Sequence, residues 1–158
     1  MNAPLDAPRA DYTPLVDNYK GKKLNSPNDA VFHSNGDIYF TDPPYGLDGG
    51  TNDSTKEQEH HGVYRARPDG SVDLVTGEFD YPNGIALTPD EKFLIVAHSD
   101  SKNPVWMKYG LHGRGLAKHK SVFYKISKEE QDLPGGPDGF KINSKGYVFA
   151  SGPGGVWI

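Results

Sequence analysis

Apolar residues come in short alternating bursts along this chain, and the bursts recur at a fixed interval. Ala30 and Phe32, Ile85 and Leu87, and Phe140 and Ile142 each stand two and four positions past the same point of a short polar phrase. A denser run follows each pair: Ile38-Tyr39-Phe40, Phe93-Leu94-Ile95-Val96 and Tyr147-Val148-Phe149. Period-two alternation predicts a half-buried strand, and a short continuous apolar run between turn signals predicts a more buried one. Asn35-Gly36 is a hairpin signal between the first two strands, and Glu91 and Gly146 hold the offset of Gly36 in the later copies. The phrases are Ser26-Pro27-Asn28-Asp29, Tyr81-Pro82-Asn83-Gly84 and Gly136-Pro137-Asp138-Gly139, spaced 83 − 28 = 55 and 138 − 83 = 55. A period of that length marks a propeller, a solenoid or an array.

The rest of each unit fits the first choice. Gly62–Ala66 and Ser71–Val75 predict a third and a fourth strand, joined by a turn at Arg67-Pro68-Asp69-Gly70. The second unit offers strands near Val105–Tyr109 and Ser121–Ile126, with a Gly- and His-containing loop between them and one Ser-capped helical turn at Ser127–Glu130. The third unit starts at Asp138, and its third strand, Gly155–Ile158, is just beginning where the sequence stops. Tyr12–Tyr19 reads as a leading strand from a preceding unit, with a turn at Lys20-Gly21-Lys22, and residues 1–11 as a mobile tail. Four strands per unit predict an all-β fold: a partial six-bladed β-propeller of about two and a half blades over residues 12–158. Six blades at this period need roughly 330 residues, so the expectation is a piece of a longer protein or a chain that assembles with other copies. The plainer alternative is a complete small two-sheet domain. An open half-propeller exposes a strand edge and an apolar face, so self-association through open blade edges is expected.

Composition narrows the function. Nineteen Gly and 13 Pro, with 35% hydrophobic and 11% aromatic residues, suit short strands and many turns. A net charge of −4 argues against a nucleic-acid partner. The absence of cysteine excludes disulfides, thiolate metal sites and a Cys nucleophile, and it is compatible with any redox compartment. The longest apolar run, Phe93–Ala97, is too short to span a bilayer. Met1–Ala10 lacks the charged start and apolar core of a secretory signal, so a cytoplasmic location is expected, with a periplasmic one as the alternative if the true N-terminus lies upstream.

In a propeller the innermost strand of each blade lines a central channel, so residues at one offset in successive blades point at one region. Here that offset holds Asn28, Asn83 and Asp138. Oxygen donors with few charges suit a hard cation such as Ca²⁺ or Mg²⁺. Pro-Asn-Gly and Pro-Asp-Gly are also common turn signatures, and both readings stay open on spacing alone. His60-His61 is either a wall of the channel mouth or a solvated pair. His98 either looks into the channel or is a satisfied strand-end histidine, and Ser99-Asp100 beside it reads as a turn. Tyr45, after two prolines, walls a pocket or packs over its own loop. Ser26, Ser99 and Ser151 lack a nucleophile-elbow pattern, and Gly152-Pro153-Gly154-Gly155 lacks the Lys-Ser/Thr of a phosphate loop.

Leu24-Asn25-Ser26-Pro27-Asn28-Asp29, followed by Ile38-Tyr39-Phe40-Thr41-Asp42-Pro43-Pro44-Tyr45-Gly46-Leu47, resembles the gluconolactonase / senescence marker protein (regucalcin) family. Tyr81–Ala86 with Pro89-Asp90-Glu91 resembles the next blade of that family, and Gly135–Gly139 with Ala150–Trp157 the one after. The closest flavour is bacterial gluconolactonase. The resemblance implies metal-dependent hydrolysis of a sugar lactone to the aldonic acid. It implies one divalent cation, Ca²⁺ ahead of Mg²⁺ or Zn²⁺, held by Asn83, Asp138 and a first-blade Glu that this sequence lacks. It gives Asn28 a place on the substrate or in the metal shell and Asp138 a second role as general base. The resemblance also implies that an acidic residue of the loop before the third strand, Glu57 or Glu59, meets the sugar; Glu57 and Tyr45 are the substrate-side candidates. The alternatives are a non-enzymatic binding or calcium-handling propeller and an inactive truncated product.

Overall fold

The computed structural model describes residues 13–112 and 116–158. The expected tail over residues 1–11 lies outside them. β1 (Asn18–Tyr19) and β2 (Lys22–Lys23) form a two-stranded hairpin. β3 (Ala30–Phe32), β4 (Ile38–Thr41), β5 (Val63–Ala66) and β6 (Val72–Thr76) make a first four-stranded sheet. β7 (Pro82–Leu87), β8 (Phe93–His98), β9 (Val105–His112) and β10 (Leu116–Lys125) make a second. β11 (Phe140–Ile142), β12 (Val148–Gly152) and β13 (Gly155–Trp157) make a third. Within each sheet the strands are antiparallel neighbours in chain order, the meander of a propeller blade. The first strands, β3, β7 and β11, follow one another, with β7 beside both of the others. The expected all-β partial propeller is what forms, with one helical turn, α1 (Lys128–Gln131), closed by a capping box between Ser127 and Glu130.

Two details differ from expectation. Of the expected leading strand Tyr12–Tyr19, Tyr12 lies outside the described residues; among the described ones only Asn18 and Tyr19 pair, with Lys23 and Lys22, because Lys20 and Gly21 take positive φ of 53° and 75° and turn the chain straight back. The Gly- and His-containing loop of the second sheet is largely ladder, with His112 opposite Leu116 and His119 opposite Gly110. The third strand of the third sheet is formed where expected, with Ala150 opposite Trp157.

The offset shared by Gly36, Glu91 and Gly146 has a single backbone cause. Their φ values are 91°, 55° and 86°, left-handed in all three hairpins, which glycine adopts freely and glutamate does not. Glu91 is held there by a cross-sheet tie: its carboxylate accepts from the Ser34 N–H at 2.8 Å and from the Ser34 hydroxyl.

The second sheet is buried on both faces, and strand alternation divides its residues between two seams. Ile85, Leu87, Leu94, Val96, Val105, Met107 and Tyr109 pack with Tyr39 and Val63 of the first sheet. Ala86, Ile95, Ala97 and Trp106 pack with Ile126 and with Phe140 and Ala150 of the third sheet. The far face of the first sheet is covered by Leu24, Val16 and Tyr19 against Phe40 and Tyr64. The third sheet leaves Tyr147, Phe149 and Val156 exposed. Among the described residues no helix is long and apolar enough to cross a membrane.

Candidate active site

Pro82-Asn83-Gly84 is not a turn. It lies in β7, where pairing with β8 jumps from Pro82–His98 to Ile85–Val96. The bulge takes Asn83 and Gly84 out of the ladder, and bulges re-aim side chains. Packing demands the glycine: a Cβ at Gly84 would stand 2.3 Å from the carbonyl oxygen of Asp138. Pro68-Asp69-Gly70, by contrast, is a hairpin turn as read, with Gly70 at φ 82° donating to the Arg67 carbonyl at 2.9 Å. Gly136-Pro137-Asp138-Gly139 runs irregularly into β11, with Pro137 buried and Asp138 exposed.

The loop after β4 is cross-braced by the first phrase. Buried Asp42 accepts the N–H groups of Asn25 at 2.9 Å and Ser26 at 2.8 Å. Ser26 Oγ donates to the Pro43 carbonyl at 2.5 Å and accepts the Gly46 N–H at 3.0 Å. Tyr45 is thereby held over Tyr81, ring centroids 6.4 Å apart and planes 22° from parallel.

These pieces meet at one cavity of about 480 Å³, lined by Tyr45, Asn83, Ser99, Asp138 and Ser151 among others. Tyr45 thus comes from the first unit, Asn83 and Ser99 from the second, Asp138 and Ser151 from the third. The Asn83 Nδ2 donates to Ser99 Oγ at 3.0 Å. Burial raises the Tyr45 phenol above its ordinary value, and the charge of Asp138 adds to the rise. Tyr45 is therefore protonated at neutral pH, and its hydroxyl donates to the Tyr81 carbonyl at 3.4 Å. No described residue donates a hydrogen bond to the Asp138 carboxylate.

Asn28 and Glu57 are not in this lining. Asn28 is exposed, and its N–H donates to the Thr41 carbonyl at 2.9 Å. Glu57 accepts the Lys23 N–H at 2.7 Å. Its neighbour Gln58 donates to the carbonyls of Tyr19 and Lys22 at 3.2 and 2.6 Å. That loop fastens the β1–β2 hairpin. His61 is buried, its Nδ1 3.3 Å from Asp80 Oδ1, so it is not solvated. His98 lies buried in the first seam, its ring stacked on Phe79 at 4.0 Å.

Among the described residues no three His, Asp or Glu side chains converge. A cation here would have one carboxylate, Asp138, and one amide oxygen, Asn83. That oxygen-only, low-charge pair fits a hard divalent ion and leaves further coordination positions to other donors.

A profile described as the SMP-30/Gluconolactonase/LRE-like region matches residues 3–158. The chain belongs to this family. It is 46% identical over 147 residues to the gluconolactonase of Zymomonas mobilis, covering 91% of this chain and 41% of that protein. A gluconolactonase structure from Xanthomonas campestris superposes with a TM-score of 0.73 at 34% identity, covering 89% of this chain and 46% of that one. A structure described as the calcium-binding protein regucalcin, from Agrobacterium tumefaciens, shares the fold at a TM-score of 0.58 and 21% identity, over 78% of this chain and 37% of that one. The chain therefore spans less than half the length of these relatives. Within this SMP-30/gluconolactonase chain, sequence reasoning missed Ser99 and Ser151 as cavity residues. Both follow or end second strands of their sheets, at offsets where the repeat has no shared residue type to attract notice.

Proposed function

We propose that this chain carries part of the active site of a divalent-cation-dependent sugar-lactone hydrolase. The observation that carries the reading is the convergence of Tyr45, Asn83 and Asp138, from three successive units, on one cavity. The identity to a gluconolactonase supports the substrate class. Asn83 and Asp138 hold the ion, with Ca²⁺ ahead of Mg²⁺ or Zn²⁺ for an oxygen-donor set. A bound ion of this kind polarises a carbonyl as a Lewis acid. Tyr45 walls the pocket, and its hydroxyl, which donates to the Tyr81 carbonyl at 3.4 Å without substrate, exchanges that long bond for a sugar oxygen. Asp138, exposed and with no hydrogen-bond donor among the described residues, takes a proton from the attacking water. Asn28 and Glu57 stand outside the lining and have no part in this reading. The exposed Tyr147, Phe149 and Val156 support self-association of the chain through its third sheet.

The test is hydrolysis of a gluconolactone by the chain with and without chelator, beside Asp138→Asn. Turnover should vanish with chelator and return with Ca²⁺, and Asp138→Asn should cost about a hundredfold or more. Turnover indifferent to both treatments rules the reading out. Ca²⁺ binding without any turnover favours the binding-protein alternative.

A further inference from the structure

We propose that Ser99 is a positioning residue that decides which end of the Asn83 carboxamide faces away from it, and so aims the amide oxygen. The inference rests on the reading of Asn83 and Asp138 as the pair that holds a cation, and deepens it. Ser99 follows directly on β8, and its own N–H donates to the Tyr81 carbonyl at 2.9 Å, which fixes it beside the start of the second phrase. Its hydroxyl then lies between Asn83 of β7 and the Pro137 carbonyl in the segment before β11, with the Tyr45 phenol beside both Ser99 and Asn83. The Ser99 hydroxyl donates to the Pro137 carbonyl. It also stands 3.0 Å from Asn83 Nδ2.

The polarity of this chain of bonds is forced. A carbonyl oxygen only accepts, and a hydroxyl has one proton to give. With that proton committed to Pro137, Ser99 Oγ offers Asn83 only lone pairs. The group facing it must be the NH₂, and the amide oxygen must lie on the other side of the carboxamide. The two ends of a carboxamide have nearly the same shape, so the hydrogen-bond network is what tells them apart. The oxygen end is the one a hard cation takes. The same hydroxyl tethers Pro137, one residue before Asp138, to the end of β8. One side chain thus sets the orientation of one oxygen donor and the backbone approach of the other. Outer partners that orient ligands in this way affect affinity without touching the ion.

The experiment uses the full 158-residue chain, isotopically labelled and metal-free, as wild type, Ser99→Ala and Ser99→Thr. In the wild type and Ser99→Thr, the Asn83 side-chain NH₂ protons should show NOEs to the β-proton of residue 99. In Ser99→Ala its two resonances should move toward free-amide values. Calorimetric titration with Ca²⁺ should then show affinity weakened about 10- to 100-fold in Ser99→Ala and restored in Ser99→Thr. Ser99→Cys, which keeps the volume with a weaker donor, replaces the alanine variant if the latter fails to fold, with the same direction expected. Unchanged Asn83 amide signals, or wild-type Ca²⁺ affinity in Ser99→Ala, overturn the proposal. A wild type with the expected NOEs that binds no divalent ion overturns the cation reading instead and leaves the orienting role of Ser99 standing.

Discussion

The two seams of this molecule are built from one repeat and end differently. At the first seam, the residue after the offset asparagine is Asp29. Its Oδ2 accepts the Ile85 N–H at 3.0 Å and its Oδ1 the Ala30 N–H at 2.9 Å, while Thr41 donates to the Asn83 carbonyl at 2.8 Å. Side chains brace that end shut. At the second seam the same offset is Gly84, and with no side chain in the way the backbone of Asp138 comes in against it. The cavity lies there, between Asn83, Ser99 and Asp138. One substitution at one offset separates a brace from a site.

Acid should break the comparison most strongly, because the first seam alone holds the buried His98. Burial pushes that imidazole down from 6.5 to about 3. A lowered folded value means that the neutral form is favoured by folding. The stability tied to it is complete above the unfolded value of 6.5 and is lost as pH falls toward 3. The loss is on the order of 4 kcal/mol over that window. Asp42 works the other way: burial lifts it from 3.8 to about 6, against the pull of the Asn25 and Ser26 N–H groups. Its contribution is present below 3.8 and lost as pH rises through 6, so it offsets part of the histidine effect. Urea unfolding at stepped pH should show His98→Phe with a flatter acid limb than the wild type. An acid limb of the same slope in both would remove His98 as its source.

Next in size is Gly84→Ala. Its new Cβ meets a backbone atom that has no easy retreat, so a loss of about 3 kcal/mol is expected, the upper end of overpacking costs. The lactone turnover proposed for the chain should fall with it. A variant of wild-type melting temperature would show that the second seam is looser than its geometry implies. Asp29→Ala should cost less, about 1–2 kcal/mol, for leaving the buried Ile85 N–H unpaired. An equal or larger loss than Gly84→Ala would reverse the ranking of the seams.

Much of this fold was legible because the repeat and the strand period agree. The 55-residue spacing located the start of each sheet, and alternation in Leu87, Leu94 and Val96 against Ala86, Ile95 and Ala97 is the division between seams. The site was legible only in part. Asn83 and Asp138 share a cavity as their offset implied, but Asn28 shares the offset and not the cavity. Offset analogy assumes equal seams, and Asp29 makes them unequal. Ser99 was hidden for another reason: its importance lies in partners 16 and 38 residues away, which no local pattern records. The turn reading of Pro-Asn-Gly missed the approach of a distant carbonyl, which only the packed structure supplies.

Both tryptophans of the chain, Trp106 and Trp157, sit in the second seam with ring centroids 5.9 Å apart. Their emission is therefore a one-sided optical gauge. Events between the second and third sheets will shift it, and a loosening confined to the first sheet will pass almost unseen. Fluorescence and circular dichroism traces that part company on such a protein would reflect where the indoles happen to be, before any intermediate need be invoked.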